Sequence, residues 1–340
     1  MSNWKQTTQF PENRRIFEEE LNDFLPAEIF DFHVHISAAS ALKDSSGWAI
    51  SAGGNLLKEY TVEELTDDLG VLWPGRRCMA VCFGMPFPSL DIALQNDYVA
   101  RSCDSVRFFP FRLLDPHDHC RDVERDIRKR NFLGFKPYPD YVRKPAEDVT
   151  IPDMIPDDFL AIADRYRLCV TLHIPRKGRL ADMNNINDIN RICGQFPRAN
   201  IILAHIGRAY FLKNIKGNLE KIARHDNLYF DLAMLNNSDV LTYLFERVPP
   251  ERILFGTDIP VALAAGKSVE INNQYVYVTP VQWRLAVCDE RGLVKYTSFA
   301  YEQVRAIRAA MERVGLPHRF AEEIFSKNAV RLISEMKQTA

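Results

Sequence analysis

Residues 30–35 read Phe30-Asp31-Phe32-His33-Val34-His35, and two histidines separated by one residue project from the same side of an extended chain. Two imidazoles so placed can share one cation, or each can be buried and satisfied by ordinary hydrogen bonds; the pair alone leaves both readings open. A polar residue closes an apolar run three more times: His173 after Cys169-Val170-Thr171-Leu172, His205 after Ile201-Ile202-Leu203-Ala204, and Asp258 after Ile253-Leu254-Phe255-Gly256-Thr257. If these runs are strands whose ends meet at one rim, four imidazoles and a carboxylate crowd a small dry space. Unpartnered polar groups there cost roughly 2–7 kcal/mol each. A bound divalent cation is the simplest compensation. The remaining histidines, His117, His119, His225 and His318, lie in helix-like or loop-like contexts.

The elements that must hold these side chains are visible as short apolar runs alternating with longer amphipathic ones, the pattern of a parallel sheet wrapped by helices. Strands are expected at Ile29–His35, Arg77–Met85, Val106–Leu114, Phe132–Tyr138, Cys169–Ile174, Asn200–Ile206, Leu228–Ala233 and Arg252–Asp258. An opening helix is expected around Asn13–Phe24, with others at Thr61–Leu72, Leu90–Arg101, His119–Arg130, Pro156–Tyr166, Asn184–Gln195, Leu212–His225 and Asp239–Val248. Eight strands with helical crossovers match a closed (β/α)8 TIM barrel of the α/β class. The rival is an open doubly wound sheet, but no Gly-x-Gly-x-x-Gly and no phosphate-cradling P-loop follows any of these runs, so its nucleotide-binding form has no support. Ile36–Tyr60, polar and glycine-containing, is a long loop after strand 1 and is expected over the active site. Beyond Ile259, Val276–Ala286, Ser298–Val314 and His318–Met336 read as extra C-terminal helices that pack outside the barrel or cover one end. With no low-complexity linker, residues 1–340 read as a single domain.

A length of 340 residues suits one α/β barrel with additions. The formal net charge of −2 gives no electrostatic reason to expect nucleic acid as a partner, which directs attention to a small-molecule site. No run approaches the ~20 apolar residues of a membrane span, and the polar stretch Met1–Glu20 lacks the apolar segment of a secretory signal. A cytoplasmic protein without a membrane partner is therefore expected. The seven cysteines are scattered, with no Cys-x-x-Cys, and read as reduced core residues.

The order His-x-His on the first strand, His on the fifth, His on the sixth and Asp on the eighth resembles the amidohydrolase superfamily. Ile202-Leu203-Ala204-His205-Ile206-Gly207, Leu254-Phe255-Gly256-Thr257-Asp258 and Asn328-Ala329-Val330-Arg331-Leu332 resemble more narrowly its amidohydrolase-2 branch. That branch comprises TIM-barrel metal-dependent hydrolases and includes the aminocarboxymuconate-semialdehyde and resorcylate decarboxylases. The likeness runs from about Ile29 to Leu332, nearly the whole chain. It implies that His33, His35 and His173 supply imidazole ligands and Asp258 a carboxylate to one divalent metal. Zn(2+) suits this N/O set best, with Mn(2+) or Fe(2+) as alternatives. It also implies a catalytic pair: Asp258 takes a proton from the attacking water, and His205, near the metal but not a ligand, protonates the leaving group or polarises a carbonyl.

Lys136, closing Leu133-Gly134-Phe135-Lys136, admits three readings. In binuclear relatives a lysine at that strand end is carboxylated and bridges a second metal, with His205 then a ligand. As an ammonium it can instead bind a substrate carboxylate, or it can snorkel to solvent past the rim. Tyr138, Arg176 and Arg208 are further substrate-binding candidates, and so is Lys177; for the three cations the alternative is a solvated surface charge. The expected reaction is hydrolysis of a small, carboxylated lactone, ester or amide. The alternatives are non-oxidative decarboxylation of an aromatic or muconate-type acid, and a catalytically inactive binding barrel, against which stands the complete set of ligand types. The expected partner is an anionic small molecule, and homodimers occur among relatives.

Overall fold

A computed structural model describes residues 11–52 and 55–337, and in it the eight expected strands alternate with helices. The strands are β1 (Glu28–His35), β2 (Arg77–Phe83), β3 in two pieces (Phe108–Pro110 and Arg112–Leu114), β4 (Gly134–Pro137), β5 (Cys169–Leu172), β6 (Asn200–Leu203), β7 (Leu228–Asp231) and β8 (Ile253–Leu254). β1, β2 and the first piece of β3 pair in parallel, as do the second piece of β3 and β4 to β8 in chain order. Phe111 N donates to Cys82 O (2.9 Å) across the break in β3. At the other seam, Phe32 N donates to Phe255 O (2.8 Å), His35 N to Ile259 O (2.8 Å) and Asp258 N to His33 O (2.9 Å), and Val34 bridges Ile259 in parallel. The barrel is thereby closed, and β8 lies beside β1 although more than 200 residues separate them.

The strands are buried on both faces, so they read as continuous apolar runs. Outward residues such as Ile29, Val34, Val170 and Ile201 join the core beneath the helices, while Phe30, Phe32, Val81, Phe83, Phe111 and Ile202 fill the barrel interior. β1 changes phase part-way: its register against β2 shifts between Asp31 and Val34. The extra residue lets Phe30 and Phe32 fill the lower interior while His33 and His35 still face inward at the upper rim.

The enclosing helices include α1 (Val62–Leu72), α2 (Ile92–Ser102), α3 (Cys120–Arg130), α4 (Asp157–Arg165), α5 (Met183–Gln195) and α6 (Ser238–Phe245). Their starts are chemically marked. Thr61 and Glu64 form a reciprocal capping box at α1, and Asp91, Asp182 and Asn237 accept from first-turn amides of α2, α5 and α6. The long segment after β1 closes at its base through paired Ser37–Tyr60 backbone bonds (both 2.8 Å) and lays Trp48 against Phe87 of the loop after β2 (5.8 Å). It therefore sits on the same end of the barrel as His35, as expected.

Two expectations are corrected. The helix expected at Leu212–His225 is only a turn, Leu212–Ile215, followed by a short 3-10 segment, Leu219–Lys221. Gly217, at φ +73°, ends it by entering the left-handed region. The helix expected at Val276–Ala286 is instead part of a three-stranded sheet of β9 (Lys267–Ile271), β10 (Gln274–Thr279) and β11 (Ala286–Cys288). Tyr275, Val276, Tyr277 and Val278 are aromatic and β-branched, and Asn272-Asn273 supplies two left-handed residues (φ +50° and +58°), as a two-residue hairpin turn requires. The other two tail helices form: α7 (Phe299–Arg313), and α8 (Asn328–Lys337), which continues from a turn at Glu323–Lys327.

α8 closes the lower end of the barrel. Ala329, Leu332, Ile333 and Met336 pack with Phe30, Phe32 and Phe109, and Asn328 Nδ2 donates to Pro250 O (2.7 Å) and Ile253 O (2.9 Å) at the foot of β8. Leu332 is 1% exposed. Leu332→Ala should therefore cost about 2–5 kcal/mol, read as a lower urea midpoint at unchanged slope; an unmoved midpoint would remove α8 from this role.

Candidate active site

The upper ends of β1 and β8 bring His33, His35 and Asp258 together, their candidate ligand atoms all within 4.8 Å of one another. Asp258 Oδ1 lies 3.1 Å from His35 Nε2 and 3.5 Å from His33 Nε2. The orientation of these rings is fixed from behind. His35 Nδ1–H donates to Gly84 O (2.8 Å), which turns Nε2 toward Asp258. Asp231, at the end of β7, hydrogen-bonds His33 Nδ1 and turns Nε2 toward Asp258. Tyr138 sets its hydroxyl 3.3 Å from His35 Nε2.

Beneath this layer Asp31 accepts from His33 N (3.0 Å), from Thr257 N (2.9 Å) and from the Thr257 hydroxyl, joining β1 to the strand that carries Asp258. Gly256 is required here: a Cβ would stand 2.8 Å from His33 Cβ and 2.9 Å from Asp231 Oδ1.

His205 enters from the end of β6, its Nδ1–H donating to Ala233 O (2.9 Å) and its ring 4.8 Å from that of His33. It opens a run of four left-handed residues, His205, Ile206, Gly207 and Arg208 (φ +54°, +53°, +63° and +58°). Only glycine adopts such angles without cost; elsewhere the penalty is roughly 1–2 kcal/mol per residue, and such strain concentrates at functional sites. His173 sits at the end of β5, its ring 5.6 Å from that of His205 and 5.7 Å from Tyr138. It lies outside the three-residue group, and its buried Nδ1 has no hydrogen-bond partner.

Lys136 is fully buried at the centre, so it does not snorkel to solvent. Its Nζ is 3.1 Å from His33 Nε2 and lies over the rings of Phe83 (4.4 Å) and Tyr138 (5.2 Å). Burial pushes its amine down to about 7 against the pull of Asp231 and Asp258, and pushes the Asp231 carboxyl up to about 8 and Asp31 up to about 7. Burial also holds His33 and His173 well below the ordinary imidazole value and His205 at about 4, so all three are neutral at neutral pH. Burial alone would raise Asp258, but the His35 hydrogen bond and the neighbouring His205, His35 and Lys136 outweigh it, and the carboxylate stays ionised.

Two imidazoles and an ionised carboxylate therefore converge, and the unpartnered His173 Nδ1 stands nearby. Such a donor set fits a divalent cation, with His33, His35 and Asp258 as its core.

The remaining candidates separate. Arg208 donates to Ile174 O (3.1 Å) and bears on His173 electrostatically, whereas Arg176 is held by Asp182 (3.1 Å) and Lys177 is exposed. Sequence reasoning passed over Asp231 and Asp31. Asp231 closes the apolar run Leu228-Tyr229-Phe230 just as Asp258 closes its own, and that signal would have found it. Asp31, two residues before His33, carries no such mark.

The amidohydrolase family model matches residues 31–333. Among solved structures, an amidohydrolase 2 from Bifidobacterium longum subsp. infantis superposes with a TM-score of 0.57 at 15% identity, over 91% of this chain and 99% of that one. A probable 2-pyrone-4,6-dicarboxylic acid hydrolase from Acinetobacter baumannii, solved with citric acid bound, gives 0.55 at 14%, over 90% and 99%. The 5-carboxyvanillate decarboxylase from Sphingomonas paucimobilis gives 0.53 at 14%, over 91% and 99%. No curated protein sequence matches. With the family model spanning nearly the whole barrel, from Asp31 beneath the His-x-His pair to Ile333 in the closing helix, this chain belongs to the amidohydrolase family, in its amidohydrolase-2 branch.

Proposed function

We propose that the protein is a metal-dependent hydrolase acting on a small, carboxylated lactone, ester or amide. The observation that carries this reading is the convergence of His33, His35 and Asp258 at the seam of β1 and β8, with Asp258 Oδ1 3.1 Å from His35 Nε2 and 3.5 Å from His33 Nε2. Imidazole and carboxylate ligand atoms gathered in this way suit a divalent cation. His33, His35 and Asp258 would hold one divalent ion, Zn(2+) by preference, with His173 supplying a further imidazole from the facing strand. When bound, such an ion supplies Lewis acidity toward a substrate oxygen or a water.

The chain's own residues supply the rest. Asp258 stays ionised across the working pH range and can take a proton from the attacking water. His205, neutral and with Nε2 unprotonated, can relay that proton to the leaving oxygen or nitrogen. Asp231 and Gly84 keep the His33 and His35 rings turned to the site. Closely packed rings of Phe83 and Tyr138 limit water around Lys136.

One observation favours decarboxylation instead: the Lys136 amine, brought down to about 7, can deliver a proton to a carbon near neutral pH. Similar folds carry both names, 2-pyrone-4,6-dicarboxylic acid hydrolase and 5-carboxyvanillate decarboxylase. Assaying the two named substrate types in parallel, by loss of the lactone and by release of CO2, separates the reactions; CO2 release without hydrolysis would replace the first reading with the second.

Gently purified protein should contain about one transition-metal equivalent by elemental analysis, and activity should fall on chelation and return on adding Zn(2+). Protein without metal and indifferent to chelator overturns the assignment. Asp258→Asn should lower turnover by about 10²–10⁴-fold with a near-normal melting curve; undiminished turnover removes Asp258 from its role. Asp231→Ala should weaken metal affinity by about 10–100-fold, measured by competition with a chelating dye, and unchanged affinity would show that His33 needs no orienting partner.

A further inference from the structure

Three arginines line the part of the rim that follows β5 and β6, and their partners differ. Arg176 is paired with Asp182, and Arg208 donates to the backbone at Ile174. Arg179 is different: its Nε is buried without an acceptor, and no ion-pair partner for its guanidinium is present among the described residues. A buried guanidinium N–H left in this state forfeits a charge-assisted bond that is normally made.

What it does touch is a set of aromatic faces. Its central carbon lies 4.6 Å from the ring centre of Tyr275, 5.4 Å from Tyr210 and 6.0 Å from Phe211. A guanidinium over an aromatic face can keep its in-plane N–H donors available for a carboxylate. The aromatic shelf continues to the chemistry in one direction and outward in the other. Tyr210 stacks on Tyr275 (4.5 Å) and stands 5.8 Å from the His205 ring; Tyr275 meets Tyr277 (5.5 Å), which stacks on Trp283 (5.2 Å).

The shelf is fixed from below. Glu270, paired across the hairpin with Tyr275, accepts from Leu212 N (3.1 Å) and Asn237 Nδ2 (2.7 Å), and so docks β9 onto the loops after β6 and β7. The sheet of β9, β10 and β11 is thus part of the mouth.

We infer that Arg179, on the shelf of Tyr210 and Tyr275, is the group that binds a carboxylate of a planar anionic substrate, whose flat face lies along the tyrosine rings toward His205. A planar fork of donors matches a carboxylate in two parallel hydrogen bonds, and a flat ring fits the face that the shelf presents. This deepens the function proposed above and rests on it for the identity of the reacting centre, but the binding step itself can be tested alone.

The probes are benzoate and benzamide, equal in shape and differing in charge, titrated calorimetrically into metal-loaded and chelator-stripped protein. The wild-type chain should prefer benzoate, and Arg179→Met should weaken benzoate by roughly tenfold or more while leaving benzamide, metal content and melting temperature unchanged. Arg176→Met, whose guanidinium is already paired, should change neither probe. Tyr275→Leu should weaken both probes alike. If Arg179→Met fails to melt cooperatively, Arg179→Lys keeps the charge without the fork, and it should lose part of the benzoate affinity. A wild-type chain without preference, a preference that survives in Arg179→Met, wild-type benzoate affinity in Arg179→Lys, or a loss in Arg176→Met as large as that in Arg179→Met overturns the inference. Protein that takes up no metal yet discriminates through Arg179 would sink the metal-dependent reading and leave this one standing.

Discussion

Everything at the mouth of this barrel follows from taking ionisable groups out of water without enough protons to pair them. Asp31, Asp231, His33 and Lys136 are each at most 1% exposed, and His205 is scarcely more so. Burial alone drives the carboxyls up and the amine and imidazoles down, toward neutral forms. What keeps the set in register is a layer of ordinary hydrogen bonds below it. Asp31 clamps β1 to Thr257, Gly84 and Ala233 fix imidazole protons through their carbonyls, and Gly256 gives up its side chain so that His33 and Asp231 can approach. With the rings anchored from behind, His33, His35 and Asp258 converge in front as a set that suits a divalent cation.

Much of this was legible in the sequence because a closed parallel barrel writes its interior as plain apolar runs, and a polar residue at the end of such a run stands out. That rule located all eight strands, together with His33, His35, His173, His205 and Asp258. It left ligation by His173 as an inference from resemblance, and the structure draws only His33, His35 and Asp258 into one group. The rule fails where side-chain type is not the determinant. The phase shift in β1 is a backbone event, and the left-handed run from His205 to Arg208 includes Ile206, a β-branched residue that no propensity would assign to φ +53°. Val276–Ala286, which holds most of β10 and the start of β11, reads as a helix because Tyr275, Val276, Tyr277 and Val278 form an apolar patch whose period is ambiguous over so short a span, although Asn272-Asn273 marks the turn before them.

The two ends of the barrel divide the work. At the lower end, Phe30, Phe32 and the apolar face of α8 make an apolar floor. At the upper end, the strands present fixed chemistry while four separate segments, the loop after β1, the loops after β5 and β6, and the sheet of β9 to β11, frame the opening. This separation is what lets one scaffold serve different substrates, because these segments can vary without disturbing the clamp under the histidines.

The seam between β1 and β8 carries a kinetic implication. His33 and Asp258 become neighbours only when the first and last strands join, and α8, which follows every barrel strand in synthesis, then seals the floor beneath them. Loop-closure entropy makes such a distant pairing a late event on the folding route. An ion that binds the joined strands and not the open chain would add its binding free energy to the joined state, so removing the ion would shift the balance toward an open seam.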